Sequence, residues 1–156
     1  MRTRALLLLA GVVTAAMTAM PTSEVCATET CSCRPDSTLG RTVAEQTVTR
    51  RNAADAVVLA TVIGEDTLAN GGPVVARLRV TRVWKGAGTE TLSVAIRSAP
   101  PQVSSCDVDL EVGRTYVVFA YEVGGYLWAR YCSGTRRAEH SAEVLAALGE
   151  GRRPSP

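Results

Sequence analysis

Apolar and polar positions alternate along much of the second half of this chain, a period of two that predicts β-strands with one buried face. From Val74 to Val83 the alternation is strict. Val74, Ala76, Leu78, Val80 and Arg82 fall on one side, and Val75, Arg77, Arg79, Thr81 and Val83 on the other. A half-exposed antiparallel strand reads this way, and Trp84-Lys85-Gly86 ends it. Thr89 to Arg97 repeats the pattern with Leu92, Val94 and Ile96 on one face. Arg114 to Glu122 is strongly β, and Gly124-Gly125 is a two-residue hairpin signal leading into a partner strand, Tyr126 to Tyr131. The run Ala56 to Ile63 does not alternate. It is β-branched and too short for an amphipathic helix, which predicts a central strand buried on both faces.

Two segments have helical spacing instead. Thr42 to Asn52 brings Val43, Ala44 and Val48 to one side, with Thr47 and Thr49 weakening it. Ala138 to Leu148 aligns Val144, Leu145 and Leu148, with Ser141 and Glu143 outward, and is stopped by Gly149 and Gly151. Pro35 and Gly40 keep residues 34–40 irregular, Asn70-Gly71-Gly72 marks a turn, and Leu110 to Gly113 is a tight turn. An open sheet of five short strands leaves its edges exposed. The expected architecture is therefore mainly β: a five-stranded OB-fold-like Greek-key barrel with flanking helices at about 42–52 and 138–148, a sandwich being the alternative.

The first residues alter the setting. Arg2 and Arg4 precede the short apolar run Ala5 to Val13, and small residues follow, which reads as a secretory signal. The run falls short of the ~20 residues a membrane span needs, so no stable membrane insertion is expected. Cleavage fits after Ala19 or after Ala27, making 1–27 a signal peptide and leader, 28–149 one domain and 150–156 a disordered tail. The expected location is extracellular, or the exterior of the cell envelope. Losing Arg2 and Arg4 brings the formal charge from +2 to zero, which argues against a nucleic-acid partner. Lys85 is the sole lysine among many arginines, a trait of high-GC bacterial genomes.

Export makes the cysteines candidates for disulfides. Of the five, Cys31 and Cys33 form Cys31-Ser32-Cys33, which cannot close on itself without strain. Each must reach elsewhere, and Cys106 and Cys132 are available. Four cysteines allow three pairings, and each long-range bridge would contribute roughly 4 kcal/mol in the chain-entropy model. Cys26, if retained, is odd and could pair between chains.

Taken together, Cys31-Ser32-Cys33, the helical spacer, Asn52-Ala53-Ala54-Asp55-Ala56-Val57-Val58, Trp84-Lys85-Gly86, Ser104-Ser105-Cys106-Asp107-Val108-Asp109-Leu110-Glu111-Val112-Gly113, the Tyr-rich strand and Cys132 resemble the tissue inhibitors of metalloproteinases. The resemblance covers roughly Cys31 to Leu148, the N-terminal netrin-like, OB-fold domain of that family, with no counterpart to its C-terminal domain. It implies the pairs Cys31–Cys106 and Cys33–Cys132. It implies also that Cys31, as mature N-terminus, chelates the catalytic zinc of a metalloproteinase through its amine and carbonyl oxygen, displacing the activated water. Ser32 would point toward the specificity pocket, and Ser104-Ser105 would support this inhibitory ridge. Two departures stand out: a third family cysteine is absent near Arg51 and Asn52, and Thr28-Glu29-Thr30 does not suit a signal peptidase acting before Cys31.

Enzymatic chemistry finds little support, and no cofactor is implied. His140 is the only histidine, which rules out a multi-histidine zinc site. Asp107, Asp109 and Glu111 alternate as a weak cation site or a solvated turn face would, and Arg77 and Arg79 with Tyr126, Trp128 and Tyr131 would line a groove on a barrel. The expectation is an exported, non-enzymatic inhibitor of zinc metalloendopeptidases. The alternative is an interaction module of the same fold that binds a protein or a glycan.

Overall fold

The computed structural model describes residues 40–155, apart from 70, 87, 100, 102 and 103. In chain order these form helix α1 (Val43–Ala53), strands β1 (Ala56–Thr67), β2 (Val74–Lys85), β3 (Thr91–Arg97), β4 (Thr115–Val123), β5 (Tyr126–Trp128) and β6 (Arg136–Arg137), and helix α2 (Ala142–Leu148). The strands bond in the order β1-β2-β3-β5-β4, and β1 also pairs with β4, so five strands close into a barrel. The closing seam is antiparallel over Ala56↔Ala120 to Thr61↔Thr115. The weakest seam is β3 to β5, parallel and joined through Ala95↔Trp128. β6 is an appendage paired to β4 at Tyr116↔Arg137 and Val117↔Arg136.

Closure explains β1. Its even-numbered side chains Ala56, Val58, Ala60 and Val62 fill the barrel interior with Leu78, Val94, Ile96, Tyr116 and Val118. Val57 faces the other way, into a second core with Val117, Phe119, Val144 and Leu148 beneath α2. Alanines at 56, 60, 76, 120 and 129 suit the narrow interior of a five-stranded barrel. Strands this long must bend to close, and β-bulges supply the bend. Shifts in β1–β2 register leave Trp84 and Thr81 as extra residues on β2 and Ile63 as an extra residue on β1.

The bulge at Thr81 alters the strict alternation expected for β2. Ala76, Leu78 and Val80 are buried as expected, but beyond the bulge Arg82 is exposed and Val83 is buried. Thr81 Oγ1 donates to Leu59 O at 3.1 Å, holding the bulged residue to the neighbouring strand. The β4–β5 hairpin turns at Gly124-Gly125, φ 60° and 80°, as two central residues of positive φ require. Its return strand is shorter than expected. After Trp128 the backbone leaves β4, Ala129 N donates to Ala95 O at 3.0 Å, and a 3-10 turn covers Tyr131–Ser133.

Helix α1 begins with a reciprocal capping box: Thr42 Oγ1 accepts from Glu45 N at 3.2 Å, and Glu45 Oε2 accepts from Thr42 N at 2.8 Å. Its inward residue is not the expected valine face. Val43 and Val48 are exposed, whereas Thr47 is buried, its hydroxyl donating back to Val43 O at 2.7 Å. The second helix is split, with a 3-10 turn at Ala138–His140 before α2. Ser141, expected outward, is buried at the junction and donates to Arg137 O at 2.6 Å.

The expected disordered tail is docked instead. Val83 and Arg152 exchange both backbone hydrogen bonds, each 2.9 Å, and Ser155 N donates to Gly88 O. Trp84 Nε1 donates to Gly149 O at 2.8 Å, and an Arg152 guanidinium nitrogen to Gly86 O at 2.8 Å. Gly86 has φ 87°, and a Cβ there would lie 2.7 Å from Asp55 O, so this turn demands glycine.

Candidate functional site

Cys106 and Cys132 lie on opposite sides of the β4–β5 hairpin in sequence, yet the fold brings them to one rim of the barrel, where β3 and β5 finish. Tyr131 N donates to Cys106 O at 2.9 Å, so the two cysteine segments run side by side. Both cysteines are disulfide-bonded. Cys26, Cys31, Ser32 and Cys33, with the leader and both cleavage positions, lie outside the described residues.

The segment carrying Cys106 is rigidly seated. Asp107 Oδ2 accepts from Ser98 N and from Ser104 N, each at 3.1 Å. Ser104 Oγ accepts from Cys106 N at 3.2 Å, and Val108 N donates to Ile96 O at 3.0 Å. These bonds lay the Ser104-Ser105-Cys106 turn against the end of β3, with Ser105 exposed and Ser104 half-buried. Leu110 inserts into the barrel core, and Tyr116 Oη accepts from Glu111 N at 3.1 Å, tying down the far end.

Cys132 is held through its own neighbours. Ser133 Oγ donates to Thr135 Oγ1 at 2.9 Å, and Thr135 Oγ1 accepts from Phe119 N at 3.0 Å. The guanidinium of Arg130 lies 4.4 Å from the centre of the Trp128 ring, a cation–π stack, and Trp128 Nε1 donates to Val123 O at 3.2 Å. Tyr121, Val123, Trp128, Arg130, Cys132 and Ser133 line a shallow hollow of about 250 Å³. Burial raises the Tyr121 phenol above its ordinary pKa, Arg50 opposing and Asp55 reinforcing the shift.

The acidic alternation is divided among separate duties. Asp107 caps backbone amides, Asp109 joins Glu65 in flanking Arg97 (2.6 Å each), and Glu111 pairs with Arg137 and Arg114. The hydrogen bond to Asp109 comes first in holding the Arg97 pKa above its ordinary value. Among the described residues no three His, Cys, Asp or Glu side chains group as a metal site. The supposed basic-aromatic groove is also divided. Arg77 pairs with Asp66 at 2.7 Å, and Tyr126 lines a hollow with Asp66 and Val75, apart from the one beside Trp128. His140 is largely exposed, with Nε2 3.6 Å from Glu139.

The sequence places Asp107 in an acidic alternation rather than as the turn's organiser, and Tyr131 in a shared groove rather than as an exposed side chain next to Cys132. The spacing Ser104-x-x-Asp107, a local side-chain-to-backbone turn pattern, was the available signal for the first. Nothing in the hydrophobic pattern marks the second. No protein-family model matches the chain, and no curated protein matches it at a significant level. No helix among the described residues is long and apolar enough to cross a membrane.

Proposed function

We propose that this chain is an exported, non-enzymatic inhibitor of zinc metalloendopeptidases, a bacterial protein built like the N-terminal domain of the tissue inhibitors of metalloproteinases. One observation carries the reading: two disulfide-bonded cysteines, Cys106 and Cys132, stand side by side on one barrel rim. A disulfide holds its Cα atoms about 4.4–6.8 Å apart, and residues i and i+2 of an extended chain lie about 7 Å apart. Two adjacent anchors therefore match the two cysteines of Cys31-Ser32-Cys33. The pairs we propose are Cys31–Cys106 and Cys33–Cys132, with Ser104 and Ser105 bracing the ridge from the seated turn.

On this reading, Cys31 offers its free amine and carbonyl oxygen to the target's zinc, and Ser32 enters the adjoining pocket. The water the enzyme would activate is displaced, so hydrolysis stops. The reaction needs no cofactor of the inhibitor's own, and nucleic acid is not a partner. Chelation requires that Cys31 be the first residue, because acylation turns a basic amine into an amide with little affinity for metal.

The test compares oxidised protein beginning at Cys31 with protein that keeps Thr28-Glu29-Thr30, against a panel of zinc endopeptidases. The first should inhibit, and the second should be weaker by about 100-fold or more, the scale of losing several anchor contacts. Should neither inhibit any member, the reading falls and an interaction module for protein or glycan takes its place.

A further inference from the structure

Val83 of β2 points both its backbone groups at an edge that β3 has already left, and Arg152 takes them, at 2.9 Å each. The strap that supplies Arg152, residues 149–155, gives no side chain to either core among the described residues. Hydrogen bonds fasten it instead: Trp84 Nε1 to Gly149 O, the Arg152 guanidinium to Gly86 O, and Ser155 N to Gly88 O. It leaves α2 through Gly149, which carries φ 70°, a conformation that glycine adopts most readily. Lifting the strap breaks these bonds and opens no core, which places it among the parts of a fold that open locally. It uncovers a strand edge beside Trp84, which is half-buried against the outer core.

We propose that this edge is a self-association surface guarded by the strap: once the strap lifts, two copies of the chain pair antiparallel about a two-fold axis at Val83. The bond pattern selects that occupant. Val83 and Arg152 form a hydrogen-bonded antiparallel pair, N–H to C=O in both directions. A second Val83 offers the same two groups in the same antiparallel sense, so each copy replaces the other's Arg152. On either side of that pair, Arg82 of one copy comes beside Trp84 of the other, which sets a guanidinium by an aromatic ring rather than by a like charge. In the closed chain the strap fills the edge in cis, at an effective concentration that a dilute second copy does not match. Release of the strap therefore decides whether the edge pairs. Pairing here needs nothing from the inhibitory reading.

Two full-length variants lift the strap. Gly151→Val places a Cβ 2.9 Å from Val83 O, and Arg152→Pro removes a bridging N–H together with the guanidinium. Each is followed beside the parent by sedimentation equilibrium and by hydrogen exchange at Val83. So small an interface implies a dissociation constant on the order of 100 µM, which leaves about nine-tenths of the chain single at about 5 µM and about a quarter at about 500 µM. Val83 protection in the variants should therefore rise about 3-fold between those concentrations, whereas the parent should keep Val83 protected at both. A synthetic peptide of residues 149–156 in excess should return the variants to single chains. Variants that stay single at the higher concentration, pair while Val83 stays open, or keep Val83 protected at both concentrations overturn the proposal. Equal pairing by the parent does the same. If one variant loses barrel amide protection the other decides. If both lose it, the strap is a structural part of the fold rather than a guard, and the proposal falls.

Discussion

Thr42 and Glu45 organise the first turn of α1 through a reciprocal set of hydrogen bonds. The two exchange side-chain bonds with each other's backbone amides, and the bond from Thr42 N leads in holding the Glu45 carboxyl below its ordinary pKa of 4.5. A carboxylate whose folded pKa is depressed stabilises the fold above the unfolded value, and that stability is lost as pH falls through the folded value. Acidification below about pH 4.5 should therefore weaken the first turn of α1, seen as lower amide protection there relative to the intrinsic exchange rate, while Glu45→Gln should flatten that dependence. Thr42→Ala should cost about 1 kcal/mol in thermal or denaturant unfolding. Individual side chains were partly legible in advance. The valine and two leucines of α2, at 144, 145 and 148, face the core as the spacing predicts, whereas the burial of Thr47 and Ser141 is not evident from the sequence. Each hides its hydroxyl in a bond to a carbonyl four residues back, which makes a polar residue fit a packed face.

At the scale of elements, the docked C-terminal segment is the main departure. β3 leaves β2 early, Val80 N donating to Glu90 O at 2.8 Å, so the stretch of β2 beyond Val80 presents an edge. Unpaired edges invite association with other chains. Arg152 occupies this edge as a one-residue strand, and Trp84 and Gly86 fasten it from either side. Arg152→Pro removes one donor of the bridge and the guanidinium bond together. It should destabilise the fold by about 1–3 kcal/mol and speed hydrogen exchange at Val83. Unchanged exchange there would show that the segment does not protect the edge. The composition of Gly149 to Pro156, rich in Gly, Pro and Arg, reads locally as a frayed end. Only the gap beside Val83, created by a distant hairpin, gives it a partner.

For the whole molecule, the barrel wall separates two cores. The interior is held by β-branched and small side chains, and the outer core is centred on Phe119 beneath α2. Both are assembled from long-range contacts, so cross-links that shorten the unfolded chain should matter. Replacing Cys106 and Cys132 together by serine removes both bridges and should lower stability by about 4–8 kcal/mol, measured by denaturant unfolding against the oxidised parent. The five barrel strands and the doubly buried β1 were readable from hydrophobic period, because burial on one face or two imposes its repeat on the residues themselves; the hairpin turn was readable from its glycine pair, and barrel closure from the edges an open sheet would leave. The bulges at Ile63, Thr81 and Trp84, the three-residue length of β5, the docking of Arg152 and the meeting of Cys106 with Cys132 were decided only in three dimensions. Each depends on how a closed barrel bends and which edges it leaves open, and that geometry arises between segments far apart in the chain rather than within any one of them.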